Sequence, residues 1–328
     1  MIWNAAIHRR FPLRHSQFLF ESPPTMRRSK ESGTAAAQSG DESLHSKGRA
    51  CLIAAALLWS LSGIVIKSPV IQAIPVGDRS LVLACYRALF AAVGLLPFVA
   101  WRRTRLTPRL MPSVVSFAVM NVMFVSAFTR TTAGAASCLQ YTSTAWVFMF
   151  SWLALKEKID RGNIIALACA ICGITWILFS EQDDQHADGN LFALGSGVAY
   201  AGVILSLRWL RDENAIWVTV LNHAFSGLVL LPLVLTRHIE LTALQWSLVA
   251  FLGVFQMGLP YVLATRGVAV LSVQESALLV LLEPILVPLW AWLCWGELIG
   301  WPTLIGGGLI LGGLAVRYAV WPDRAHPL

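Results

Sequence analysis

Long runs of apolar residues, separated by short polar stretches, dominate the chain from residue 48 to residue 320. Each run is close to the roughly 20 residues that an α-helix needs to cross the hydrocarbon core of a bilayer. The runs cover residues 49–66, 80–101, 111–129, 131–155, 163–180, 189–210, 215–235, 244–264, 271–295 and 302–320. This pattern predicts an all-α polytopic membrane protein with ten transmembrane helices.

The composition supports a bilayer as the solvent. Of 328 residues, 56% are hydrophobic and only 13% are charged, and the mean hydropathy is +0.64. A soluble domain usually carries about 25% charged residues. The net charge of +7 could suggest a nucleic-acid partner, but the basic residues lie between apolar runs. We therefore expect contact with a lipid bilayer and none with nucleic acid.

The weakest boundary lies at residues 129–131, where Arg130 and its neighbouring threonines alone separate two apolar runs. One fused helix would give nine spans instead of ten. With the N-terminus inside and ten spans, 20 basic residues fall in cytoplasmic segments and four fall outside. The positive-inside rule favours this arrangement. We therefore expect both termini in the cytoplasm and the acidic loop 181–190 outside.

The segments beyond the apolar runs are polar. Residues 1–47 are basic and predicted to be disordered, with a cytoplasmic tail at 321–328. Residues 1–20 contain Arg9, Arg10 and Arg14 and no acidic residue, a composition that resembles a transit peptide. A start at Met26 is the alternative, and the sequence does not decide between Met1 and Met26.

The two halves of the chain echo each other. The stretch LLPFVAWRR (95–103) matches LLPLVLTRH (230–238), and SWLALKE (151–157) matches AWLCWGE (291–297). These matches predict two five-helix repeats, at 48–180 and 189–320. Because five is odd, the second repeat enters the membrane in the opposite sense. Inverted repeats are an architecture of secondary transporters.

The repeats also carry a resemblance. The stretches LLEPILVPLWAWLCWGE (281–297) and GGGLILGGLAV (306–316), with AGAASCLQYTSTAWVFMFSWLALKE (133–157) and RALFAAVGLLP (87–97), resemble the EamA-like transporters of the drug/metabolite transporter superfamily. Thr144 departs from the pattern, because Pro284 occupies the matching position in the second copy. The resemblance implies a ten-helix carrier of small organic metabolites in a bacterial inner membrane, often an exporter of amino acids or related compounds.

Charged residues inside apolar runs are the first candidates for the transport pathway, since burying a charge in a bilayer is costly. Arg87 could hold an anionic substrate group, or its side chain could extend to the outer interface. Glu283, next to the helix-breaking Pro284, could bind a proton or a substrate amine. Glu275 could share its cavity, or lie at the cytoplasmic end near Arg266.

Uncharged polar and aromatic residues in the spans are further candidates for lining a cavity. They are equally compatible with ordinary helix packing. They are Asn121, Gln140, Tyr141, Trp59, Tyr200, His223 and Gln256. The glycines of the last run are predicted to form a close-packing face, and they are Gly306, Gly307, Gly308, Gly312 and Gly313.

A secondary transporter that works by alternating access is the favoured function. The alternative is an integral-membrane enzyme, for which Ser196, between Gly195 and Gly197, and His223 would be the reactive residues. Cys169 and Cys172 are interpreted as packing residues, so no metal or cofactor is predicted. For the favoured transporter, no enzymatic activity is predicted. The expected partner is a small-molecule substrate, and the sequence leaves a homodimer open.

Overall fold

The computed structural model describes residues 45–155, 161–180, 184–210, 212–271 and 273–320. Within these ranges the chain forms helices and no β-strand, as the apolar runs predicted. The predicted disordered segment, apart from residues 45–47 at the start of the first helix, lies outside the described residues. The choice between Met1 and Met26, and the tail 321–328, lie outside them too.

Ten helical segments follow one another in the described ranges. A short helix, Pro69–Gln72, lies between the first two, and three 3₁₀ turns connect the second and third. The segments are α1 (His45–Ile66), α2 (Val76–Leu95), α3 (Met111–Arg130), α4 (Ala133–Tyr141 and Ser143–Leu155), α5 (Arg161–Ser180), α6 (Asp184–Trp209), α7 (Ala215–Thr236), α8 (Ala243–Val268), α9 (Val273–Val280 and Leu282–Trp295) and α10 (Trp301–Val320).

Among the residues that the structure describes, eight helices are long and apolar enough to cross a membrane. The other two segments are α4, which is broken into two shorter helices, and α10, whose apolar part is Trp301–Arg317. The chain is therefore a multi-pass membrane protein.

The helix break after Arg130 is present. Thr131 has an extended backbone, and the Thr132 side chain accepts a hydrogen bond from the Ala135 amide at 3.1 Å. A threonine N-cap satisfies one of the free amides of a new helix and so starts α4 here. The single fused helix of the nine-span alternative is not formed.

Two further breaks interrupt α4 and α9 at matching places. In α9 the break is at Leu281, three residues before Pro284, which has no amide hydrogen to donate to the Val280 carbonyl. In α4 the break is at Thr142, whose hydroxyl donates to the Leu139 carbonyl at 2.6 Å. Polar side chains can rescue carbonyls freed at such breaks.

The helices pack in long pairs. α3 lies along α6, α5 along α10, and α2 along α7.

The middle of α8 is a π-helix, Leu252–Gly258, which packs against α2 where Gly253 meets the Arg87 carbonyl. A side chain at Gly253 would collide with this carbonyl, so the glycine permits the close approach. The largest apolar core joins α1–α10 through residues such as Phe128 and Leu139.

Small residues bring α5 and α10 together. A Cβ on Gly306 would lie 2.6 Å from the Gly173 carbonyl oxygen, and one on Gly307 would lie 2.6 Å from the Cys138 sulfur. Gly306, Gly307 and Gly313 thus have the predicted packing role, but Gly308 and Gly312 do not, because a Cβ on either would meet no heavy atom within 4 Å. The helical period turns these two glycines away from α5.

A leucine at Gly306 should therefore destabilise the protein, whereas a leucine at Gly308 should be tolerated. Gly306→Leu forces the two helix backbones apart, and overpacking of this kind costs about 1–3 kcal/mol. Thermal unfolding of the two variants in the same detergent measures the difference. Equal melting temperatures would contradict the close contact between α5 and α10.

Candidate functional site

Glu283 meets Tyr141 where the two broken helices face each other. The Tyr141 hydroxyl lies 2.8 Å from Glu283 Oε2 and 3.2 Å from the Val280 carbonyl oxygen. Pro284 explains the second contact, because it leaves the Val280 carbonyl without its helical donor. The break in α9 thus presents a carboxyl group and a free carbonyl to one tyrosine on α4.

Aromatic side chains surround this pair. Tyr200 and Tyr261 both lie within electrostatic range of Glu283. The rings of Trp59 and Tyr261 meet edge to face, with centroids 5.4 Å apart. Glu283 and Tyr141 lie at the two helix breaks, and they and these three aromatic residues each keep part of their surface accessible. Tyr261 was not among the sequence candidates.

Arg87 is buried in a separate polar group. Its side chain is only 1% exposed, and its Nη2 donates to Asn121 Oδ1 at 2.8 Å. Asn121 in turn donates to the Ala84 carbonyl and to the Ser226 hydroxyl, so it is held by α2 and α7. The Phe124 ring lies 5.7 Å from the guanidinium carbon. The guanidinium does not extend to the outer interface.

His223 and Gln256 are both buried. His223 Nδ1 lies 2.8 Å from the Thr219 carbonyl oxygen, and its ring is 5.6 Å from that of Tyr261. Gln256, in the π-helix, donates to the Trp59 carbonyl at 3.0 Å. Extra backbone length in a π-helix is common at functional positions. The Tyr261 ring therefore contacts both Trp59 and His223.

Two other candidates lie apart from these groups. Gln140 donates to the Met120 sulfur at 3.5 Å, between α4 and α3. Glu275 forms an ion pair with Arg49 at the start of α1. Glu275 is thus engaged at a helix end, which agrees with the interfacial interpretation.

The residues of the enzyme alternative are not bonded to each other. The Ser196 hydroxyl donates to the Ala193 carbonyl at 2.7 Å on its own helix, while His223 Nδ1 contacts Thr219. In the described part of the chain, no group of three or more His, Cys, Asp or Glu side chains could hold a metal ion.

An ion pair joins the two halves at the opposite end of α9 from Glu275. Lys67 Nζ lies 3.3 Å from Glu297 Oε2, and Glu297 Oε1 accepts from the Ala133 amide at 2.6 Å. Gly296 ends α9 just before this carboxylate, because its φ of 65° and the bond from its amide to the Trp292 carbonyl form an αL cap. Burial lowers the pKa of the Lys67 ammonium, although the Glu297 carboxylate opposes the shift.

Glu283 and Arg87 each lack a charged counterpart in the other half of the chain. The match of SWLALKE with AWLCWGE places Ser143 opposite Glu283, and the match of the two LLP motifs places Asn222 opposite Arg87. Both counterparts are polar and uncharged. The repeat therefore conserves polarity at these positions while the charge occurs once.

A multi-pass helical protein with polar groups between two broken helices has the features of a membrane transport protein. The EamA-like transporter family model matches residues 46–179 and 188–318. The chain therefore belongs to the EamA-like transporter family, and it is a membrane transporter.

Curated relatives carry transporter names. An uncharacterised transporter of Archaeoglobus fulgidus is 25% identical over 276 residues, covering 83% of this chain and 96% of that protein. The pseudopaline exporter CntI of Pseudomonas aeruginosa is 27% identical over 206 residues, covering 62% and 72%. A solved crystal structure aligns with a TM-score of 0.60 at 18% identity, over 85% of this chain and 99% of that chain, which shows a shared fold.

The Lys67–Glu297 pair should stabilise the protein more than the Arg49–Glu275 pair. Their side chains are 16% and 21% exposed, compared with 59% and 29% for the second pair. A double-mutant cycle with Lys67→Met and Glu297→Gln should give a coupling of roughly 1–2 kcal/mol, because solvent screens the pair incompletely.

The matched cycle with Arg49→Met and Glu275→Gln should give less than about 1 kcal/mol, as exposed pairs do. Chemical or thermal unfolding in detergent provides both measurements. A larger coupling energy for the Arg49–Glu275 pair than for the Lys67–Glu297 pair would contradict this prediction.

Proposed function

We propose that this protein is a secondary transporter that exports a small organic metabolite by alternating access. The observation that carries the proposal is the partly accessible Glu283–Tyr141 pair between two broken helices. Discontinuous helices form the substrate sites of many carriers. The name of the pseudopaline exporter supports outward transport.

The packing of the helices supports an inverted five-helix repeat, with units at 48–180 and 189–320. When each helix of the first half is exchanged with its counterpart in the second, the pairs α2–α7, α4–α9 and α5–α10 are unchanged. The same exchange converts α3–α7 into α8–α2 and α6–α4 into α1–α9, which are also contacts. Such a repeat can rock about a central site.

Glu283 is proposed to bind the coupling proton or a substrate amine. The Tyr141 hydroxyl has one hydrogen but contacts two acceptors, Glu283 and the Val280 carbonyl. A protonated Glu283 would resolve this mismatch, because it could donate to Tyr141 while Tyr141 donates to Val280. Alternatively, the ammonium group of a substrate would bind the ionised Glu283 carboxylate at the same position.

Glu283→Gln should abolish transport driven by a pH gradient in proteoliposomes, because glutamine cannot bind and release a proton. Glu275→Gln is the matched control, and it should retain gradient-driven transport because Glu275 lies at the helix end with Arg49. Both variants should insert and purify like the original protein. If Glu283→Gln keeps the gradient dependence, Glu283 does not carry the proton.

We also propose ten membrane crossings with both termini in the cytoplasm of a bacterial cell. The clear end of α3 and the separate start of α4 support this count. The fused alternative would reverse every segment after residue 130. The loops 99–110 and 237–242 would then lie on the same side of the membrane instead of on opposite sides.

Labelling of single cysteines in intact cells tests this orientation. In a cysteine-free background, a membrane-impermeant maleimide should label Glu240→Cys but reach Arg105→Cys only after the membrane is permeabilised. Both side chains are exposed, so accessibility within the protein does not limit the reaction. Equal protection of the two positions would favour nine spans.

A further inference from the structure

The link between α2 and α3 carries a dense positive charge. Residues 99–110, which we call the arginine loop, contain four arginines: Arg102, Arg103, Arg105 and Arg109. No Asp or Glu occurs anywhere in residues 79–156. Any counter-charge for the arginine loop must therefore come from a distant part of the chain or from outside the protein.

The structure gives these arginines no protein partner. The side chains of Arg102, Arg105 and Arg109 are exposed, and none of them forms a hydrogen bond or an ion pair with any described residue. Asp212 and Glu213 lie just before α7, the helix that the arginine loop contacts, and neither is paired with these three side chains. The positive charge is thus left available on the surface.

Contacts with α7 hold the arginine loop in place. Its two ends, Val99 and Leu110, are buried in apolar clusters with residues of α7. Between them the Trp101 ring lies 5.8 Å from the Trp217 ring, and Trp217 Nε1 donates to the Arg105 carbonyl oxygen at 3.1 Å. The arginine side chains therefore project from an ordered backbone, which lowers the entropic cost of binding a partner.

Exposed apolar side chains lie among the arginines. Trp101 is 57% exposed, Leu106 is 77% exposed, and Met111 at the start of α3 is 52% exposed. Tryptophan and arginine side chains next to the end of a membrane-spanning helix are suited to the zone where lipid head groups meet acyl chains. Apolar side chains that would be unfavourable in water can contact lipid there.

The corresponding link of the second half lacks these features. The match of the two LLP motifs places Thr236 opposite Trp101. The link 237–242 is shorter and contains an acidic residue, and its Arg237 lies 3.9 Å from Asp78. The cluster of unpaired arginines with exposed apolar residues is therefore a property of one half, and the repeat does not require it.

We propose that the arginine loop is a binding surface for anionic phospholipids. Arg102, Arg105 and Arg109 bind phosphate groups of lipids in the adjacent leaflet, while Trp101 and Leu106 contact the upper part of the acyl chains. Because the loop is fixed on α7, lipid bound here connects the membrane surface to both halves of the protein. The inference does not depend on the transport function.

An ordinary solvated face is the competing explanation. Basic residues are common at the cytoplasmic ends of membrane helices, where they set the topology without binding particular lipids. Residues of that kind would attract anionic lipid only through the total charge of their side of the protein. The two explanations differ in whether the position of the arginines matters when the total charge is held constant.

Lipid binding to the full-length protein in detergent tests the proposal. Phosphatidylglycerol and phosphatidylcholine that carry the same fluorescent acyl chain are titrated in, and energy transfer from the tryptophans reports binding. The anionic lipid should bind at least about tenfold more tightly, because each basic side chain near anionic phosphate contributes roughly fivefold. About 1 M salt should remove most of this preference, because it screens the charges.

Two double variants with the same change of charge separate position from total charge. Arg102→Gln with Arg105→Gln should weaken phosphatidylglycerol binding about tenfold or more and leave phosphatidylcholine binding unchanged. Lys47→Gln with Arg161→Gln removes two exposed charges at the starts of α1 and α5, on the same proposed side of the membrane, and should have little effect on either affinity. Because all four side chains are exposed, neither variant should alter the melting temperature.

Three results would overturn the lipid surface. The first is equal affinity for the two lipids. The second is a loss of phosphatidylglycerol binding that is no greater in the Arg102 and Arg105 variant than in the Lys47 and Arg161 variant. The third is displacement of bound phosphatidylglycerol by glycerol phosphate at the same concentration, because a soluble phosphate would then suffice without acyl chains.

Discussion

The need to satisfy backbone hydrogen bonds without water shapes the whole structure. In a bilayer each free amide or carbonyl is costly, so the chain forms helices throughout its apolar runs. The breaks in α4 and α9 are exceptions, and side chains stabilise both. Thr142 binds a carbonyl of its own helix, whereas the carbonyl freed by Pro284 is bound by Tyr141 from the other half. One contact of the candidate site, from Tyr141 to the Val280 carbonyl, therefore compensates for a helix break.

The same reasoning distinguishes the charged residues. Lys67 and Glu297 are paired beyond the ends of α1 and α9, and Arg79 donates to backbone carbonyl oxygens. These groups hold the fold together. The Arg87 guanidinium instead has two nitrogens without a hydrogen-bond partner among the described residues, and Glu283 shares the single hydroxyl hydrogen of Tyr141 with the Val280 carbonyl. Polar groups with incomplete partners cost free energy, so the rest of the fold has to offset them.

The sequence was a good guide to the helices and the family, because apolar length and the repeated motifs are local signals. It also singled out Glu283 and Arg87 as candidates, because charges inside apolar runs are conspicuous. It named Tyr141 and Tyr200 but not Tyr261, because a tyrosine in an apolar segment is equally suited to ordinary packing and the sequence gives no means to rank one tyrosine above another. Nor could it choose among the glycines of α10. Gly306 and Gly308 differ only in the direction they face, and that depends on how α5 packs against the helix.

The single occurrence of each charge has a consequence for energetics. In a perfectly symmetric inverted repeat that works by the proposed alternating access, a two-fold rotation would interchange the inward-open and outward-open states, so the two would have equal free energy. Here Glu283 corresponds to Ser143 and Arg87 to Asn222, so the two states would surround the charges with different neighbours. Under the proposed mechanism their free energies would then differ, and one state would be more populated at rest. The direction of net transport would still be set by the gradients across the membrane.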